Sequence, residues 1–87
     1  MYYVVVYDVN VDRVNEVKKV FREYMDWIQN SVFEGQLTRS EKEKLEGRIK
    51  EIIDTSEDMV VFYSTRAEKY LDKEVLGVEK SPTGTVI

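Results

Sequence analysis

Tyr2 to Asp8 is a near-continuous run of β-branched and aromatic residues. It is too short for a buried helix and typical of a strand covered on both faces, so it is expected to be the central strand of a sheet. The period then changes. Val14, Val17, Phe21 and Tyr24 recur at spacings of three and four, with Val20 and Met25 widening the stripe, which predicts an amphipathic helix capped by Asn10 or Asp12. Lys18, Lys19, Arg22 and Glu23 take its wet side.

Asp26 to Leu37 reads as a tight hairpin or as one bent strand. A two-residue turn at Asn30 and Ser31 would pair Ile28 with Phe33 and set both on one face with Leu37, which suits a half-buried sheet, so the hairpin is the expected form. In that register Trp27 stands opposite Glu34 on the less apolar face, where an exposed Trp suggests an interface. Thr38, Arg39, Ser40 and Glu41 spell a capping box. The helix it opens carries Leu45, Ile49, Ile52 and Ile53, and Asp54, Thr55 and Ser56 close it.

Met59 to Ser64 repeats the character of the first strand. Thr65 to Glu74 is polar and is expected to be a loop or a single helical turn, and Val75 to Glu79 a short strand. Pro82 and Gly84 break the chain beyond it. The apolar end Thr85, Val86, Ile87 is unusual for a terminus, which predicts that residues 80–87 dock on a partner subunit. The order strand, helix, two strands, helix, strand predicts an α+β fold of ferredoxin-like type, βαββαβ, as a single domain over residues 1–87. Two helices lie on one face of an antiparallel sheet, and a short C-terminal strand is appended. This architecture hosts many activities, so it does not name one.

Composition narrows the chemistry. A chain of 87 residues buries only about 60% of the surface its unfolded form exposes, and a two-layer domain of this size leaves one sheet face bare, so a homodimer is expected. The chain has no cysteine and no histidine. Thiolate sites, disulfides and imidazole catalysis are therefore excluded, and any metal must be held by oxygen. No apolar stretch approaches the roughly 18 residues of a membrane span and no signal-like segment opens the chain, so a cytoplasmic location is expected. The formal charge of −4, from 13 basic and 17 acidic residues, argues against nucleic acid coating the whole surface. Binding would need a segregated basic face.

Asp8 is the residue best placed for chemistry, because an apolar strand there runs out into the loop before a helix. It either satisfies loop amides or presents a carboxylate to a ligand. Magnesium takes one or two protein carboxylates plus water and phosphate oxygens, so one Asp8 would suffice only with a second copy across a twofold axis. Tyr7 can stack on a base or finish the buried row. Ser31 offers a hydroxyl at the hairpin turn, and Phe33 is either core or a stacking platform. For phosphate contacts the candidates are Arg13, Lys18, Lys19 and Arg22 on the first helix, with Lys42, Lys44, Arg48 and Lys50 on the second and Arg66 beyond the last long strand. Glu41, Glu43, Glu46 and Glu51 read as a solvated helix face.

Tyr7 and Asp8 at the strand end, Arg13, Asn15 and Val17 in the helix, and Gln29, Ser31, Val32, Phe33 and Glu34 in the hairpin together resemble the CRISPR-associated protein 2 family. The resemblance implies a ferredoxin-like homodimer acting as a metal-dependent endonuclease on RNA or DNA. It also implies a role as the central dimer of the spacer-integration complex, beside a CRISPR-associated integrase subunit. Asp8 would be the Mg²⁺ ligand, one from each subunit, with Tyr7, Arg13, Ser31 and Phe33 lining the site. Val86 and Ile87 would add an edge to the partner's sheet. Val14 and Trp27 replace arginines that some members carry, so phosphate-binding charge is thinner here. The resemblance leaves two functions open, a magnesium-dependent endonuclease and a non-catalytic adaptor bridging integrase and DNA. No Gly-rich phosphate loop supports a third, a metabolite-binding regulatory module.

Overall fold

The computed structural model describes residues 1–78. Four strands form one antiparallel sheet: β1 (Tyr2–Asp8), β2 (Asp26–Gln29), β3 (Val32–Gln36) and β4 (Met59–Thr65), in the spatial order β2-β3-β1-β4. Two helices, α1 (Val11–Tyr24) and α2 (Arg39–Ile52), fill the crossovers and pack on one face. This is the ferredoxin-like α+β arrangement expected from the sequence.

The side-chain alternation of β1 divides the molecule. Tyr3, Val5 and Tyr7 face the helices, where Val17, Val20 and Phe21 of α1 and Leu45 and Ile49 of α2 meet Phe33 and Leu37 in one buried cluster. Phe21 stacks between Tyr7 and Phe33, with ring centroids 5.5 and 5.3 Å away. Tyr2, Val4, Val6 and Asp8 point to the opposite face, which no helix covers. There β1 pairs Val6 with Val61 and Asp8 with Met59, and Met59 and Tyr63 are 56% and 61% exposed.

Each helix starts where its cap dictates. The Asn10 side chain accepts from the Asp12 amide, which settles the choice between the two candidate caps of α1. Thr38 Oγ1 accepts from the Glu41 amide at 3.1 Å while Glu41 Oε1 accepts from the Thr38 amide at 2.8 Å, closing the capping box. Thr38→Ala is expected to cost about 1 kcal/mol in a urea titration. No loss of stability would mean that α2 is held by packing alone.

The hairpin forms with Asn30 and Ser31 at its turn, Asn30 in the left-handed region at φ 37°. Its register departs from the expected one. A β-bulge between Trp27 and Gln29 pairs Trp27, not Ile28, with Phe33. The extra residue flips parity, so Trp27 packs against the core and Ile28 lies on the uncovered face near Val4 and Glu34. The Trp27 indole donates to the Asn30 carbonyl at 3.2 Å, which supplies the polar partner a half-buried indole needs. Trp27 is therefore a core residue of the hairpin rather than an exposed interface residue.

After β4 the chain makes one 3₁₀ turn, Glu68–Tyr70, and crosses the uncovered face. Tyr2 donates to Glu68 at 3.3 Å, and Lys73 pairs at 3.0 Å with Glu34, the one buried charged residue among those described. Val75–Val78 form no strand, contrary to the expected strand over Val75–Glu79. Val75, Leu76 and Val78 instead line a pocket with Val4, Ile28 and Glu34 on that sheet face. Glu79 and the expected docking tail, residues 80–87, lie outside the described residues.

Candidate active site at the end of the first strand

Asp8 ends β1 as an exposed carboxylate opposite Met59 on the uncovered face. Among the described residues its side chain makes no hydrogen bond or ion pair. Asp54 and Asp58, in the turn before β4, differ: Asp54 accepts from the Ser56 amide and hydroxyl, and Asp58 from two amides and a guanidinium. No group of three or more Asp or Glu side chains that could hold a metal exists among the described residues. One chain therefore offers Asp8 alone.

The other expected site residues separate into two sets. Tyr7, Ser31 and Arg22 converge beside the hairpin turn: the Tyr7 amide donates to the Ser31 carbonyl at 3.1 Å, and the Tyr7 hydroxyl to the Asn30 carbonyl at 3.4 Å. Burial pushes the Tyr7 phenol up, against the opposing pull of the Arg22 charge and a Ser31 hydrogen bond. Tyr7 thus stays protonated at neutral pH and is a donor, not a base. Its ring is buried, 3% exposed, and stacks in the core. Tyr7 holds the turn and offers no face for a base.

Phe33 and Arg13 do not reach the site. Phe33 is fully enclosed at 0% exposure, so it cannot be a stacking platform in this fold. Arg13 grips Asp58 through Nε at 2.7 Å and Nη2 at 3.1 Å, with Glu57 at 3.8 Å, and its expected role as a phosphate contact gives way to this bidentate pair. The rest of the expected basic row is split. Arg22 and half-buried Lys18 sit one turn apart on α1. Lys19 instead lines the groove between the helices with Glu16, Glu23, Arg48 and Glu51, an acidic setting that does not favour phosphate.

Asp58 is the residue the sequence reading missed. Its side chain is 1% exposed and accepts from Arg13, from the Asn10 amide and from the Asp54 amide, each of the two amides at 2.9 Å. Nothing local signals this, since Arg13 and Asp58 lie far apart in sequence. The Arg13 hydrogen bonds, with help from the two amides, hold the Asp58 carboxyl well below the usual carboxylate range. A depressed folded-state carboxyl binds fewer protons than the unfolded one, so its stabilisation is complete above about pH 4 and drains away as the pH falls lower. The stability gap between the parent and Asp58→Asn should accordingly narrow below about pH 4 in stepped urea titrations. A gap independent of pH would contradict this.

The family model described as CRISPR associated protein Cas2 matches residues 1–73. The chain belongs to the Cas2 family. A Methanosarcina acetivorans protein named CRISPR-associated endoribonuclease Cas2 is 54% identical over 87 residues, covering 100% of both chains. A Thermococcus kodakarensis protein of the same name is 51% identical, again over the whole of both. Among solved structures, a Cas2 crystal structure superposes with a TM-score of 0.85 at 45% identity, covering 100% of this chain and 98% of that one. Cas2 of Streptococcus pyogenes, at pH 6.5, gives 0.78 at 34% identity, covering 88% and 100%. The fold is therefore that of Cas2 proteins. No helix among the described residues is long and apolar enough to cross a membrane.

Proposed function

We propose that this chain is a magnesium-dependent endonuclease that hydrolyses phosphodiester bonds of RNA, working as a homodimer in which two Asp8 carboxylates share one site. The observation that supports it most is the state of Asp8, an exposed carboxylate at a strand end with no partner among the described residues. The relatives named endoribonucleases give the reaction class. The apolar, uncovered sheet around Asp8, with exposed Met59 and Tyr63, favours a second copy as the cover.

The donor set suits magnesium, since a hard cation takes oxygen ligands and accepts one or two carboxylates with water and phosphate completing the shell. When bound, such an ion lowers the pKa of a coordinated water and neutralises charge on the phosphate. Asp8 would hold it. Arg22 and the Ser31 hydroxyl, gathered beside Tyr7 on the opposite side of β1 from Asp8, would bind phosphate oxygens away from the carboxylate, while Tyr7 fixes the hairpin turn against β1.

Labelled single-stranded RNA and duplex DNA incubated with the highly purified protein test this. Cleavage of RNA is expected with magnesium and not in a chelator, from a species of dimer mass. Cleavage that persists at the same rate in chelator, or none with either magnesium or manganese, would refute it.

A second reading has one observation in its favour. With Arg13 locked on Asp58 and Phe33 buried, few groups remain to grip a substrate. This supports a non-catalytic dimeric adaptor of spacer acquisition, bridging CRISPR integrase subunits and DNA. Co-purification with the integrase and normal spacer capture by Asp8→Asn would favour it.

A further inference from the structure

We infer that Asp58 is the positioning residue of the Asp8 site: with Arg13 it locks the turn that carries the Asp8 strand end. The inference rests on the reading of Asp8 as the working carboxylate. Four hydrogen bonds converge on the Asp58 side chain. Arg13 in the first turn of α1 supplies two, at 2.7 and 3.1 Å, and the Asn10 and Asp54 amides one each, at 2.9 Å. Three segments are thereby tied at one buried point: the β1-α1 turn, the start of α1, and the turn between α2 and β4.

Asp8 lies between two anchors that both trace to this point. On one side it is the strand partner of Met59, the residue after Asp58. On the other, Asn10 is held by its amide on Asp58 while its side chain caps α1 through the Asp12 amide at 2.9 Å. Residues 8–10 therefore have little freedom to swing, and the direction of the Asp8 carboxylate is set by the Asp58 anchor. Arg13 completes the lock. Both its Nε and Nη2 face Asp58, and Nη2 also lies 3.8 Å from Glu57.

A carboxylate shared across a twofold axis must be aimed well, because an error in one copy is repeated in the other. Groups that orient metal ligands from behind typically change affinity or activity by about 10–100-fold when removed. Asp58 stands in that relation to Asp8, through backbone rather than through a direct bond.

The test uses the full-length protein and three variants, Asp58→Asn, Arg13→Gln and Asp58→Asn combined with Asp8→Asn. Asp58→Asn should remain folded by circular dichroism and lose about 10–100-fold in kcat on RNA with KM little changed. On the Asp8→Asn background it should cause no further loss, because it acts through Asp8. Hydrogen exchange supplies a readout that does not depend on cleavage: the amides of residues 8–10 should exchange at least about tenfold faster while those of β3 keep parent rates. Arg13→Gln keeps the two amide bonds and serves if Asp58→Asn fails to fold, with the same exchange pattern expected to a smaller degree. Parent exchange rates at residues 8–10 in the folded variant would overturn the proposal whatever happens to cleavage. So would an additional loss on the Asp8→Asn background. Cleavage that survives Asp8→Asn refutes the reading of Asp8 as catalytic, and the exchange data then decide the anchor by themselves.

Discussion

Asp8→Asn is expected to remove RNA cleavage by about 10³-fold while leaving the fold and the melting temperature unchanged. The size follows from chemistry: losing a metal ligand and its charge removes several kcal/mol of transition-state stabilisation, and each 1.4 kcal/mol is about tenfold. The fold should be indifferent because Asp8 is exposed and its side chain makes no hydrogen bond or ion pair among the described residues. Asparagine has nearly the same shape and can still end the strand. Rate and melting temperature measured on the same preparation separate the outcomes. An undiminished rate in a highly purified preparation would sink the endonuclease reading and leave the adaptor. A large fall in melting temperature would show that Asp8 has a structural bond in the dimer.

Phe33→Ala should be the most damaging single change to stability, costing about 3–5 kcal/mol. Phe33 is 0% exposed and stacks on Phe21 at 5.3 Å and Tyr7 at 6.1 Å, so truncation opens a cavity where β1, β3 and α1 meet. Small domains have only about 5–15 kcal/mol to lose, so much of the protein should unfold at moderate temperature. The companion Phe33→Leu fills most of the space. It should stay folded and, if Phe33 is core rather than a platform for a base, cleave RNA at close to the parent rate. A folded Phe33→Leu protein that had lost RNA binding would restore the stacking role to this residue.

Local signals carried most of the fold. The capping box at Thr38 and Glu41, the period-three-and-four stripe of α1 and the apolar run of β1 each act over a few residues, and each appears where its physics places it. The Asn30-Ser31 turn is equally local. The hairpin register was not legible, because a bulge adds one residue and reverses parity, and what selects it is the gain of burying Trp27 instead of Ile28 against the core.

The candidate site was legible by half. Asp8 stood out as a lone carboxylate ending an apolar strand, and the same position is exposed in the fold. The phosphate role expected of Arg13 and the platform alternative for Phe33 give way for one reason. A side chain's availability depends on what tertiary packing brings against it, and for these two that is Asp58 and Phe21, distant in sequence.

By itself the sequence determined the family, through the Tyr7-Asp8 strand end and the hairpin tag, and the order of elements, because periodicity and caps act within a turn or a strand. It also excluded thiol and imidazole chemistry by composition. Only the tertiary structure decided which tagged residues are free to act. It placed Tyr7 and Phe33 in the core and tied Arg13 to Asp58, leaving Asp8 exposed with Ser31 and Arg22 beside the hairpin turn. The physical reason is that burial and ion pairing are properties of contacts between distant segments, and no spacing along the chain encodes them.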